Sequence, residues 1–178
     1  MKKLLIVSTF LCSGLALGWL SARFMMQSAA GAGSTTQNGW AEVHLTGEGL
    51  GPTYEAGYYL WRGKVPPPKN VRLFRRNIDD EGNSLRGDCA IMVEGEIPSA
   101  RWWVVNTEGA GESGAISAGS AIRESSGEIA IAVSRNPMPG NWLRPGDAGA
   151  YALQLVLHDA GVVADEPLVL PHVKRLWC

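Results

Sequence analysis

Leu85-Arg-Gly-Asp-Cys-Ala-Ile-Met-Val-Glu-Gly-Glu-Ile97 and Arg101-Trp-Trp-Val-Val-Asn-Thr107 are two apolar runs separated by Pro98-Ser99. The second is rich in β-branched and aromatic residues, and the proline-bounded break between the two runs marks two strands. Upstream, Val71–Ile78 is a further strand, and Asp79-Asp80-Glu81-Gly82 is a turn whose glycine tolerates positive φ, so Val71–Ile78 and Leu85–Ile97 are expected to pair as a hairpin. Downstream, Glu108–Gly114 is a glycine-rich turn and Ala115–Ile122 a weaker strand. Glu128–Arg135 alternates, with Ile129, Ile131 and Val133 on one face. Asn136–Gly149 carries three prolines and three glycines and is expected to be a loop. Tyr151–Asp159 alternates again through Leu153, Leu155 and Leu157, and Pro167–Pro171 and His172–Trp177 close the chain. Short strands with regular turn signals predict a mainly β domain, an antiparallel sandwich or barrel. One short helix is expected at Pro52–Arg62, where Tyr54, Tyr58 and Trp61 share a helical face, with a strand as the alternative; Pro66-Pro67-Pro68 ends it.

The N-terminal segment has another character. Lys2-Lys3 precedes an apolar run, Leu4–Leu20, with no acidic residue before Glu42. That pattern is an export signal or a transmembrane anchor. The run reaches the lower end of the roughly 17–25 residues that span a bilayer, and Arg23 can extend it by snorkelling. A retained signal anchor over 1–28 is the preferred reading; cleavage near Ala30 or Ala32, releasing a periplasmic protein, is the alternative. Lys2 and Lys3 against the single Arg23 place the N-terminus in the cytoplasm and the rest outside, hence a bacterial inner-membrane, single-pass protein with its C-terminal domain in the periplasm. Residues 29–39 are small and polar and are expected to be a flexible tether to a domain over 40–178.

Of the 178 residues, 46% are hydrophobic and 19% charged, which suits a domain with a core rather than a disordered tail. The net charge is −1, and once Lys2, Lys3 and Arg23 are set aside the 17 acidic residues outnumber the basic ones, which disfavours nucleic acid as a partner. Of the three cysteines, Cys12 lies in the anchor. Cys89 and Cys178 lie on the oxidising side under this orientation and are expected to form a disulfide; two free thiols remain the alternative, because sequence does not give the geometry. No Cys-x-x-Cys occurs and the histidines are dispersed, so no metal and no cofactor is expected.

Trp102 and Trp103, adjacent in a strand, point to opposite faces: one enters the core, while the other is covered or offers a stacking surface. Trp142, in the longest loop, either pins that loop or contacts a ligand, and Trp177 is expected to pack near the disulfide. His158-Asp159 ends a strand, where neighbours diverge too far for easy mutual hydrogen bonding. Glu94 and Glu96 share one strand face; such carboxylates can serve glycoside chemistry, but a solvated face is the simpler reading. Gly111-Glu-Ser-Gly114 lacks the nucleophile-elbow spacing, Gly47-Glu-Gly-Leu-Gly51 fails as a dinucleotide loop, and no Walker loop or His-Glu-x-x-His occurs. No catalytic residue is assigned; Trp102, Trp103, Trp142 and His158 are the candidate ligand-binding residues.

In order along the chain, Cys89–Trp103, Gly127-Glu-Ile-Ala-Ile131, Asn141-Trp-Leu143, Tyr151–His158 and Leu170-Pro-His-Val-Lys-Arg-Leu-Trp-Cys178 resemble the domain of unknown function 1214 family. Glu55-Ala-Gly-Tyr-Tyr59 and Asp80-Glu-Gly-Asn-Ser-Leu85 resemble its short, membrane-anchored members. The likeness covers roughly residues 40–178, with Ala90–Val93 replacing a tyrosine-rich strand and Arg144 a proline. It implies a β-sandwich of jelly-roll type and no settled activity. It also implies a protein partner carrying domain of unknown function 1254, which often shares the polypeptide in that family. The expected function is a non-catalytic periplasmic interaction or ligand-binding domain for a protein or a glycan. The alternatives are a periplasmic hydrolase of carbohydrate-like or small ester substrates, built on Glu94, Glu96, His158 and Asp159, or a subunit completing an enzyme with that partner.

Overall fold

The computed structural model describes residues 2–29, 36–43, 70–109, 114–147, 149–160 and 168–178. The helix expected at Pro52–Arg62 lies outside them. Among the described residues there is one helix, α1 (Lys2–Ala29), and it belongs to a different compact unit from the strands. Within α1 the stretch Ile6–Phe24 has a mean hydropathy of 1.3, long and apolar enough to cross a membrane. The Arg23 guanidinium lies over the Trp19 ring, 5.3 Å from its centre.

The remaining elements are strands. A six-stranded sheet runs β1 (Thr36–Gln37), β2 (Trp40–Glu42), β3 (Val71–Arg76), β9 (Ala152–Ala160), β5 (Ala100–Glu108), β6 (Ala115–Ser117). A four-stranded sheet runs β10 (His172–Trp177), β4 (Ala90–Gly95), β7 (Ile129–Val133), β8 (Asn141–Leu143). The period-two pattern explains the core. Phe74, Trp103, Val105, Leu153, Leu155 and Leu157 from the first sheet join Ile91, Val93, Ile131, Val133, Leu143 and Val173 from the second in one buried cluster. Register brings Phe74 and Val105 to either side of Leu155. Trp40, fully buried, ties the strand at one margin to the chain before β10 by donating Nε1–H to the Pro171 carbonyl at 2.8 Å.

The mainly β reading and most strand positions stand, and four details differ. The Val71–Ile78 and Leu85–Ile97 runs are not a hairpin: β3 pairs with β2 and β9, whereas β4 pairs with β10 and β7. The turn at Asp79–Gly82 does form, with an isolated bridge from Ile78 to Ser84, but the two strands then part into different sheets. Each has an apolar face that belongs to the shared core, and covering that core from both sides separates them. The second difference is β8, three residues inside the expected Asn136–Gly149 loop. It pairs in parallel with β7, so the second sheet is mixed rather than wholly antiparallel. The Asn141 side chain makes this possible, accepting from Ile122 N–H at 2.7 Å and donating to the Ile122 and Ala130 carbonyls. Third, the Ala115–Ile122 strand stops at Ser117, where Ser120 caps a turn. Fourth, Thr36–Gln37, within the stretch expected to be a tether, adds β1 to the edge of β2 through the turn at Asn38-Gly39, both at positive φ.

Candidate functional site

On β5 the two adjacent tryptophans diverge as a pleated strand requires. Trp103 enters the core at 2% exposure, while Trp102 faces solvent at 43%. β9 lies alongside, with His158 opposite Trp102 and Leu157 opposite Trp103. The Trp102 and His158 rings are 5.3 Å apart at their centres and tilted by 59°. At the strand end Asp159 adopts φ 47°, a left-handed conformation held from both directions by Asn70. Asn70 Nδ2–H donates to Asp159 Oδ1 at 2.5 Å, and Asp159 N–H donates to the Asn70 carbonyl at 3.0 Å. Arg101 reaches the other carboxylate oxygen at 3.6 Å. Arg101 and Asp159 thus lie next along β5 and β9 from the Trp102–His158 pair, at the same end of the six-stranded sheet. Such a surface can stack on an apolar ligand face and hydrogen-bond its polar edge.

A second polar feature is a cleft of about 460 Å³ lined by Asn38, Gly39, Arg76, Asp80, Gly82 and His172, among others. Its floor is Arg76, buried at the end of β3. Arg76 Nε donates to the Ile78 carbonyl at 2.7 Å, Nη1 to the Asn38 carbonyl at 2.6 Å and Nη2 to Asp80 Oδ1 at 2.5 Å. Asp80 Oδ1 also accepts Val173 N–H at 3.2 Å, and Oδ2 lies 3.2 Å from His172 Nδ1. Burial alone would raise the Asp80 pKa; the Val173 N–H, the Arg76 guanidinium and His172 outweigh it and hold the carboxyl below its ordinary value.

Asp79, beside it, is buried and structural. Its Oδ1 accepts Glu81 N–H at 3.1 Å and Asn83 N–H at 2.8 Å, and its Oδ2 accepts Arg175 Nε–H at 2.8 Å. Here too burial pushes the pKa up, but the Asn83 and Arg175 hydrogen bonds leave it lowered. Arg175 Nη2 donates to the Ser84 carbonyl at 2.9 Å, and Nη1 points at the Cys89–Cys178 disulfide, which closes a loop with a sequence separation of 89. The expected cross-link is therefore present, tying the end of the chain to the start of β4.

The four candidate ligand-binding residues are not gathered into one cleft. Trp102 and His158 are together; Trp103 lies on the opposite, core face of the same sheet. Trp142 is in the other sheet, half-buried, its Nε1 donating to the Ser134 carbonyl at 3.0 Å, the loop-pinning role. Trp177, next to the disulfide in sequence, is exposed rather than packed. Glu94 pairs with Lys174 across β4 and β10, in the four-stranded sheet, while His158 and Asp159 belong to β9 in the six-stranded one. Among the described residues no cluster of three His, Cys, Asp or Glu side chains is placed to hold a metal. Sequence reading passed over Arg76, Asp79, Asp80, His172 and Arg175. The signal available was Arg76 and Arg175, each two residues after an apolar residue of the same strand, and an Asp-Asp pair beginning a turn: charges in such places need partners.

No family model and no curated protein matches this chain. Solved structures resemble it, two of them as follows. The VPA0106 protein from Vibrio parahaemolyticus aligns with a TM-score of 0.55 at 16% identity over 72% of this chain and 36% of its own. A putative uncharacterized protein from Burkholderia cenocepacia aligns with a TM-score of 0.50 at 16% identity over 90% of this chain and 42% of its own. The likeness is one of fold, and this chain spans well under half the length of either.

Proposed function

We propose that this chain is a cell-envelope protein whose domain, a β-sandwich of jelly-roll type related to the domain of unknown function 1214 family, binds a glycan or protein partner without catalysing a reaction. The observation that carries this reading is the solvent-facing Trp102 ring beside the half-buried His158, with Arg101 and Asp159 next along the same two strands. A tryptophan turned to solvent leaves a large apolar face available to a partner, and tryptophan and arginine are the residues that most often dominate binding surfaces. The location is the periplasmic side of a bacterial inner membrane. Support comes from α1, with Lys2 and Lys3 at its start, and from a disulfide of the kind that persists in oxidising compartments.

A protein partner carrying domain of unknown function 1254 belongs to the same proposal and rests on the family resemblance of the sequence alone. The hydrolase reading has less in its favour, because Glu94 and the His158-Asp159 pair are in different sheets. Affinity capture of the full chain from detergent-solubilised membranes tests the proposal, with Trp102→Ala as the control. A glycan or protein recovered reproducibly with the native chain and lost with the variant is expected. Recovery of the chain alone from both would count heavily against it.

A further inference from the structure

We propose that the Cys89–Cys178 disulfide is a thiol-exchange site, opened by an external dithiol, with the Arg175 guanidinium as the group that stabilises the sulfur anions. This rests on the bond and its surroundings, independently of any glycan or protein partner. Arg175 is fixed by its other two nitrogens: Nε on Asp79 Oδ2 at 2.8 Å and Nη2 on the Ser84 carbonyl at 2.9 Å. The remaining nitrogen, Nη1, lies 3.2 Å from Cys178 Sγ and 3.8 Å from Cys89 Sγ. A structural cross-link needs no cation beside it. A cation aimed at both sulfurs lowers the pKa of a thiol there and favours its thiolate.

The nearby carboxylate of Asp88 is offset by Arg86, so the choice of sulfur falls to access. Asp88 Oδ1 is 3.9 Å from Cys89 Sγ, and both Asp88 oxygens are engaged by Arg86, at 3.0 and 3.1 Å. The carboxylate stands on the Cys89 side, while the guanidinium is nearer Cys178. Cys178 is exposed and Cys89 is buried, so an incoming nucleophile meets Cys178, drawn by the guanidinium.

The chemistry balances as ordinary exchange. A thiolate of the dithiol attacks Cys178 Sγ; the disulfide breaks and its electron pair leaves on Cys89 Sγ, within reach of Nη1. The reductant's second thiol, deprotonated, then attacks the reductant's own sulfur in the mixed disulfide. That step closes the reductant's internal disulfide and releases Cys178 as a thiolate beside Arg175. Two electrons pass to the protein; of the reductant's two protons one is taken up by Cys89 and the other goes to solvent. The opened bond frees the end of β10, which among the described residues pairs with β4 alone.

The test uses the full chain in detergent with Cys12→Ser. After reduction, iodoacetamide labelling is followed against pH, with peptide mass mapping to separate the two cysteines. The expected midpoint for Cys178 lies below the ordinary thiol value of about 8.5. In the oxidised protein, Arg175→Gln is expected to slow opening by dithiothreitol about three- to tenfold, and Arg175→Lys to restore most of the rate. A Cys178 midpoint at or above the ordinary value overturns the proposal, and so does an unchanged opening rate in a folded Arg175→Gln protein. Because Arg175→Gln also strips Asp79 of its partner, circular dichroism checks its folding; should it not fold, the labelling midpoint of the native-Arg175 chain decides alone.

Discussion

Trp102 and Trp103 differ by one position and carry opposite energetic weight. The pleat guarantees that they face apart, and this much is legible in Arg101–Thr107. Which of the two goes inward is not, because it depends on which face of the finished sheet another layer covers. Trp103 is buried among Val105, Leu155 and Leu157, so Trp103→Ala removes packing and leaves a cavity; it is expected to lower unfolding stability by about 3–5 kcal/mol. Trp102→Ala removes a half-exposed ring and is expected to change stability by less than about 1 kcal/mol while abolishing partner capture. Urea unfolding followed by far-ultraviolet circular dichroism separates the two, and equal losses would mean that Trp102 is a packing residue. Asp79 belongs to the same scale. Read from sequence it is only the first residue of a turn; buried, it takes hydrogen bonds from two backbone amides and from Arg175. Asp79→Ala leaves the Arg175 charge without its partner in a largely buried position, for an expected loss of about 3–5 kcal/mol in the same assay.

Elements were legible where periodicity was strong and misassigned where pairing was at issue. Ile129-Ala-Ile-Ala-Val133 and Leu153-Gln-Leu-Val-Leu157 announce strands because every second residue is apolar. The partnering of β3 and β4 did not follow, since a turn signal reports only that the chain reverses locally. β8 was hidden because three residues are too few to show a period, and its stability comes from the Asn141 side chain rather than from the pattern of Asn-Trp-Leu. Gly95, the last residue of β4, has φ 123°, outside the range of L-residues. A Cβ built there would sit 3.7 Å from Pro171 Cα, ordinary contact, so the cost of Gly95→Ala is backbone strain and not a clash. About 1–3 kcal/mol is expected, read as a lower urea midpoint with unchanged slope. The disulfide acts on β4 and β10 together. With a sequence separation of 89, the loop-entropy model sets about 4–5 kcal/mol as the upper loss for Cys89→Ser with Cys178→Ser. No loss of thermal midpoint in that double variant would mean that the bond does not restrain the unfolded chain.

Across the whole molecule, charge and topology meet at one place. The pairings that make the two sheets join strands far apart in sequence, β3 with β9 and β4 with β10, and no local signal specifies them. The same long-range closure brings His172, Val173 and Arg175 of β10 onto Asp79 and Asp80, partners that the local turn signal does not specify. Both carboxyls have folded-state pKa values below their ordinary ones, because hydrogen bonds and arginine charge outweigh burial. The folded state therefore binds protons less readily than the unfolded chain, so these groups contribute stability that is fully present above the unfolded carboxylate value of about 3.9 and is lost as pH falls through the folded values. Unfolding stability is accordingly expected to decline as pH drops below about 4. Asp80→Asn supplies the control. It keeps an acceptor for Arg76 but removes the titration, so the stability gap between native chain and variant is expected to be widest at neutral pH and to narrow through the acid range. A series of urea unfolding curves from pH 7 to pH 2.5 would measure this, roughly spanning the titration of both carboxyls. A gap that stays constant across that range would show that Asp80 holds the cleft by hydrogen bonding alone, with no contribution from its charge.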